Sequence, residues 1–73
     1  MNLELLILQL LRIKPITPKS MKDELNIHFS QVSLILKELD EKGLIICVTP
    51  YRTKGKIYCI TELGKDTLSS LSE

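Results

Sequence analysis

Apolar side chains recur at helical spacing through the first part of the chain, then gather into two short strand-like runs, and return to a helical segment at the end. From Asn2 to Lys14 the spacing predicts a helix. Leu3, Leu6, Ile7, Leu10 and Ile13 or Lys14 form one face, and Leu5, Leu8 and Leu11 carry the apolar character onto a second. Pro15 ends it, because the residue before a proline is pushed out of the helical region. Ile16 reads as a short extended link. Thr17-Pro18 then reads as a helix start, with Thr17 as N-cap and Pro18 at the first helical position. This second helix runs to about Leu25, with Met21 and Leu25 facing inward. Asn26 suits the left-handed conformation of a helix end. The third helix spans His28 or Phe29 to Lys42. Val32, Ile35, Leu36 and Leu39 make its apolar stripe, and Gly43 is its stop.

Leu44 to Thr49 and Lys56 to Thr61 are β-branched and apolar, as strands are. Between them Pro50-Tyr51-Arg52-Thr53-Lys54-Gly55 has turn chemistry and concentrates basic residues with Lys56. Thr61 then caps a last short helix, Glu62 to about Leu71, with Leu63, Leu68 and Leu71 inward. The predicted order is helix, helix, turn, helix, strand, charged loop, strand, helix: an α+β chain.

Composition sharpens this in a few places. A chain of 73 residues, 44% hydrophobic, fits one small domain over 1–73, with no repeat or linker. A domain of this size buries only about 60% of its unfolded surface, so association with a second copy is expected. With 4% aromatic residues and no Trp, the core must come from Leu, Ile and Val. The absence of Ala beside many Ile, Leu and Lys fits an AT-rich genome, such as an archaeal one. Cys47 and Cys59 are too few for a disulfide framework and lack CxxC spacing. No secretory leader is read, and the apolar run Leu3 to Ile13 is too short to cross a membrane, so a soluble cytoplasmic protein is expected. The net charge of +1 says little about partners. Where the charge sits has to carry that argument.

The segment Ile16 to Ile45 resembles the helix-turn-helix core of winged-helix regulators such as the MarR, PadR and ArsR families. The matching residues are Met21, Leu25, Ile27, Val32, Leu36 and Leu39, followed by Gly43-Leu44-Ile45. Ile60-Thr61-Glu62-Leu63-Gly64 looks like the "L-T-x-x-G" turn by which many members enter their final helix. The resemblance covers nearly the whole chain. It implies a winged helix-turn-helix: a three-helix core, a two-stranded β-hairpin wing and a short C-terminal helix. The function it implies is DNA-binding transcription regulation. The sequence departs from the family pattern at Leu34, often basic or polar in relatives, at the acidic Glu38 and Glu41, and at His28, where a Ser or Thr cap is common.

The physics of that fold selects the candidate residues. A major groove about 12 Å wide admits one helix with a polar outer face. The third helix offers Ser30, Gln31, Ser33 and Lys37 as donors to phosphates or base edges. Gln31 can pair with adenine and Leu34 can touch a thymine methyl. On the wing, Arg52, Lys54 and Lys56 suit phosphate or minor-groove contact, with Tyr51 beside them. At the start of the second helix Thr17, Lys19 and Ser20 are further phosphate candidates, because free N–H groups there favour anions.

Other readings stay beside these. The acidic residues and Leu34 favour an alternative in which the same fold is a protein–protein interaction module, although such a module has no need of a charged wing. An enzyme is a poor fit: the chain has one His, no Gly-rich phosphate loop and no paired nucleophile and base. No cofactor is expected, and His28 with the two cysteines is a poor match to metal-ligand spacing. With the hairpin centred on Thr53, Cys47 and Cys59 would face each other. They read more readily as two half-buried thiols than as a disulfide. The double-faced first helix leaves Leu5, Leu8 or Leu11 partly bare, which predicts a homodimer through that helix and the last one. The bland reading is a covered core helix in a monomer.

Overall fold

A computed structural model describes residues 2–71, the last of them by its backbone alone. The elements in chain order are α1 (Leu3–Ile13), α2 (Pro18–Leu25), α3 (Phe29–Glu41), β1 (Ile45–Cys47), β2 (Tyr58–Ile60) and α4 (Glu62–Leu71). Each helix end has a local cause. The Asn2 side chain accepts the Leu5 N–H at 3.3 Å, and Thr17 accepts that of Ser20 at 3.3 Å, each satisfying an amide that has no partner inside its helix. Asn26 leaves α2 at φ 54°. Gly43 closes α3 at φ 75°. There the Gly43 N–H donates to the Asp40 carbonyl and the Leu44 N–H to that of Leu39, both at 3.0 Å, the paired bonds of a Schellman turn.

The core is built around α3. Val32, Ile35, Leu36 and Leu39 are buried as their spacing predicts, against Ile7, Leu8 and Leu11 of α1, Met21 of α2, Ile45 of β1 and Leu68 of α4. On α1 Ile7 is buried as its spacing predicts and Leu5 is half-buried, but other positions differ from expectation. Leu8 and Leu11, expected to be partly bare, are each 3% exposed, whereas Ile13 is 78% exposed and Leu6 only half-buried. A helix with more than one apolar face leaves the choice to its contacts, here with α3, α4 and β2. On α4, Leu63 is exposed instead of inward. Gly64 and Leu68, four residues apart, hold the buried side, and Leu63 lies about 100° round from Gly64. The inward placement expected of Leu71 lies outside the described side chains.

β1 and β2 pair antiparallel with Ile45 opposite Ile60, Ile46 opposite Cys59 and Cys47 opposite Tyr58. The strands are shorter than their apolar runs. Leu44 gives its N–H to the α3 cap and takes the Thr61 N–H at 3.0 Å, so it joins the two helix ends instead of the ladder. The register also corrects the cysteine expectation. The hairpin is centred between Arg52 and Thr53, one half-step from Thr53 alone. Because side chains alternate across a sheet, Cys47 and Cys59 therefore lie on opposite faces, both as free thiols. Ile16, expected as a plain link, is an added edge. Its N–H donates to the Tyr58 carbonyl at 3.2 Å and its carbonyl accepts the Tyr58 N–H at 3.0 Å. No helix among the described residues is long and apolar enough to cross a membrane.

Thr61 and Gly64 fasten α4 to the end of α3. The Thr61 hydroxyl donates to the Gly43 carbonyl at 2.7 Å and accepts the Gly64 N–H at 3.1 Å. A Cβ on Gly64 would overlap the Leu44 carbonyl oxygen and stand 2.6 Å from Ile60 Cγ1. Gly64→Ala should therefore destabilise the protein by about 1–3 kcal/mol, despite the better helix propensity of Ala. Urea unfolding of the two proteins checks this. An unchanged or higher midpoint would show that α4 does not approach Leu44 this closely.

Candidate nucleic-acid interface

The buried stripe of α3 fixes which side chains face away from the core. At about 100° per residue, the direction opposite that stripe carries Ser30, Leu34, Lys37 and Glu41, and all of them are exposed. Phe29, Ser33 and Asp40 lie toward the hairpin, and Gln31 and Glu38 toward the other flank.

Between α3, the start of α2 and the hairpin loop lies an open groove of about 670 Å³. Of the residues chosen from the sequence, Thr17, Lys19, Ser33, Lys37, Lys54 and Lys56 line it together. Ser20 instead borders a smaller hollow of about 270 Å³ with Lys14 and Glu24, and its hydroxyl is hydrogen-bonded to that of Thr17 at 3.2 Å. Ser30, Gln31 and Leu34 stand on α3 outside the groove, and Arg52 is exposed on the loop beyond it. The sequence reading missed Phe29, Asp40, Thr53 and Tyr58 in the lining. Phe29 was legible, since it precedes Ser33 and Lys37 by four and eight residues on one stripe. Tyr58 was not, because the Ile16 bridge that places it joins segments 42 residues apart in sequence.

The groove's cations are held open. The ion pairs of the described residues join Lys22 to Asp23 at 3.8 Å, Lys42 to Glu4 at 3.2 Å and Lys65 to Glu62 at 3.6 Å. Lys19, Lys37, Arg52, Lys54 and Lys56 take part in none of them. Glu38 is turned away from the groove. A side-chain hydrogen bond with Glu4 lifts its carboxyl above the ordinary value. The same bond, helped by Lys42, holds Glu4 below it. Burial, with smaller contributions from Cys47 and Asp40, raises the Tyr58 phenol above its ordinary value, so it remains a neutral hydrogen-bonding group at neutral pH.

A family model described as winged helix-turn-helix matches residues 3–73. The chain belongs to the winged helix-turn-helix family. No curated protein matches it at significant sequence similarity. Among solved structures, it is similar to the adhesin competence repressor AdcR of Streptococcus pyogenes (TM-score 0.86, 23% identity, 99% of this chain and 53% of that one). A MarR family transcription regulator gives TM-score 0.86 at 23% identity, over 99% of this chain and 49% of that one. A variant of ZitR from Lactococcus lactis gives 0.84 at 22%, over 96% and 54%. At these identities the likeness is one of fold, and the chain spans about half the length of these relatives.

In this winged helix-turn-helix protein, α2 and α3 are the helix pair and the loop between β1 and β2 is the wing. Gln31 has a local duty at the start of α3. Its Oε1 accepts the His28 N–H at 3.0 Å, the half of a capping box that the third helical residue supplies. The second lone pair of that oxygen and the amide NH2 are not used by the cap. The wing is pinned by Thr49, which is 7% exposed. Its hydroxyl accepts the Ile57 N–H at 2.9 Å, and its carbonyl accepts that of Arg52 at 3.0 Å. Thr49→Val keeps the shape but leaves the Ile57 N–H without its partner, which should cost about 1 kcal/mol. Faster amide exchange at Ile57 than in the parent, with α3 amides unchanged, is the expected result. Equal protection would show that the hydroxyl does not hold the wing.

Proposed function

We propose that this chain is a DNA-binding transcription regulator, not an enzyme, that lays α3 in the major groove of double-stranded DNA. The wing then meets the backbone or minor groove. In this reading residues 1–73 form one DNA-binding domain. The observation that carries it is the groove whose Lys19, Lys37, Lys54 and Lys56 come from separate elements and stand without ion pairs. Cations kept unpaired around one concave surface suit a polyanion, because neutralising phosphates releases condensed counterions. The fold shared with AdcR and ZitR supports the same reading. Thr17, Lys19, Ser20, Arg52, Lys54 and Lys56 would meet phosphates, and Ser30, Gln31, Ser33, Leu34 and Lys37 would meet base edges. The first two turns of α3 enter deepest, because Asp40 and Glu41 crowd its last turn and would face phosphates.

The test is binding to random and genomic duplexes across a salt series, with a variant carrying Arg52→Ala, Lys54→Ala and Lys56→Ala. Affinity should fall steeply with salt, and the logarithmic slope should shrink by about 3 in the variant, one phosphate contact per cation removed. Salt-independent binding, or an unaltered slope in the variant, would count against the wing. No binding to any duplex would favour the protein–protein module, which draws on the exposed Phe29 and Leu34.

We also propose that the chain acts as a homodimer through α1. The support is apolar surface on that helix away from the core: half-buried Leu6 and above all Ile13. A two-fold pair would present two copies of α3 to successive turns of a duplex. Sedimentation should show a concentration-dependent dimer that Ile13→Lys weakens. A monomer at all concentrations would end the idea.

A further inference from the structure

Leu34 is 59% exposed at the middle of the outward face of α3, with Ser30, Gln31, Ser33, Lys37 and Glu38 around it. The fold has no use for it there, since Val32, Ile35, Leu36 and Leu39 already complete the buried side of the helix. α3 carries no arginine, so the fork that pairs with both acceptors of guanine is missing from the helix itself. Its one cation is Lys37. The major-groove edges of the bases present a single apolar group, the 5-methyl of thymine. An aliphatic post among polar side chains, with no guanidinium beside it, matches that edge better than any other.

We infer that Leu34 is the specificity-determining residue of this surface and that the group it recognises is the 5-methyl of a thymine in each half-site. This inference rests on the DNA-binding reading above and adds to it the chemistry of the sequence that is read. The methyl would be buried between the Leu34 side chain and the neighbouring base, while Ser30, Ser33 and Lys37 contact flanking phosphates or base acceptors. Leu34 then selects A·T over G·C at one position without a hydrogen bond. Phe29, half-exposed where α3 meets the groove, stands on a different stripe and is not needed for this contact.

The experiment begins with a duplex enriched from a random pool by the parent protein. Each thymine in turn is replaced by deoxyuridine, which removes the methyl and keeps every hydrogen-bonding group. At one position per half-site the parent should bind about fourfold more weakly, the loss expected for one buried methyl. Leu34→Ala should bind the thymine and uracil duplexes equally, and Leu34→Met should keep the preference. Both changes are at an exposed position, so thermal unfolding should match the parent. Duplex binding with no thymine–uracil difference in the parent, or a difference that persists in Leu34→Ala, overturns the assignment of Leu34 and leaves DNA binding standing. Failure to bind any duplex overturns both.

Discussion

The backbone pairing of Ile16 with Tyr58 is the constraint on which the candidate site depends. The two hydrogen bonds tie the link between α1 and α2 to the second strand of the wing. Ile16 itself is 4% exposed, so the bridge is anchored in the core as well as in the sheet. Thr17, Pro18 and Lys19 follow directly and are carried to the edge of the wing. With α3 packed beneath, the start of α2 and the basic loop become opposite walls of one groove. Without the bridge the start of α2 and the wing would be held near each other only through their separate packing on α3.

The second contribution is electrostatic. The protein is almost neutral as a whole, with a formal charge of +1, yet its charges are sorted. The acidic partners lie on the first turn of α1, on α2 and on the first turn of α4, where they engage Lys42, Lys22 and Lys65. The lysines around the groove are in none of these ion pairs and outnumber Asp40, the one acidic residue of the lining. Sorting of this kind creates a local field that no net charge reveals. Even Glu38, next to Lys37 in sequence, stands on the far flank, where the helical turn places it beside Glu4 and Lys42.

Much of this was legible in the sequence because it is local. Thr17-Pro18, Asn26 and Gly43 mark helix ends by their own backbone and side-chain preferences, and the Val32–Leu39 stripe follows from helical spacing alone. Lys54 and Lys56 read as a basic turn for the same reason. The misreadings concern relations between segments. On α1 the exposed Gln9 and Arg12 mark the outer side, but the many leucines offer more than one apolar face, and Leu8 and Leu11 read as partly bare when they are buried. A half-step in the hairpin centre put Cys47 and Cys59 on one face when they lie on two. Ile16 looks like a spacer until Tyr58, far along the chain, is placed beside it. The hydrogen bond from the His28 amide to the Gln31 carboxamide is a local capping contact that the sequence reading did not include.

The clasp at Thr61 has a mechanical consequence. One hydroxyl joins the carbonyl that ends α3 to the amide that opens α4, and Gly64 lets the two segments touch without a side chain between them. The start of α4 is therefore pinned to the end of α3, and a displacement of that start bears directly on the Gly43–Leu44 junction where the helix bearing Leu34 and Lys37 ends.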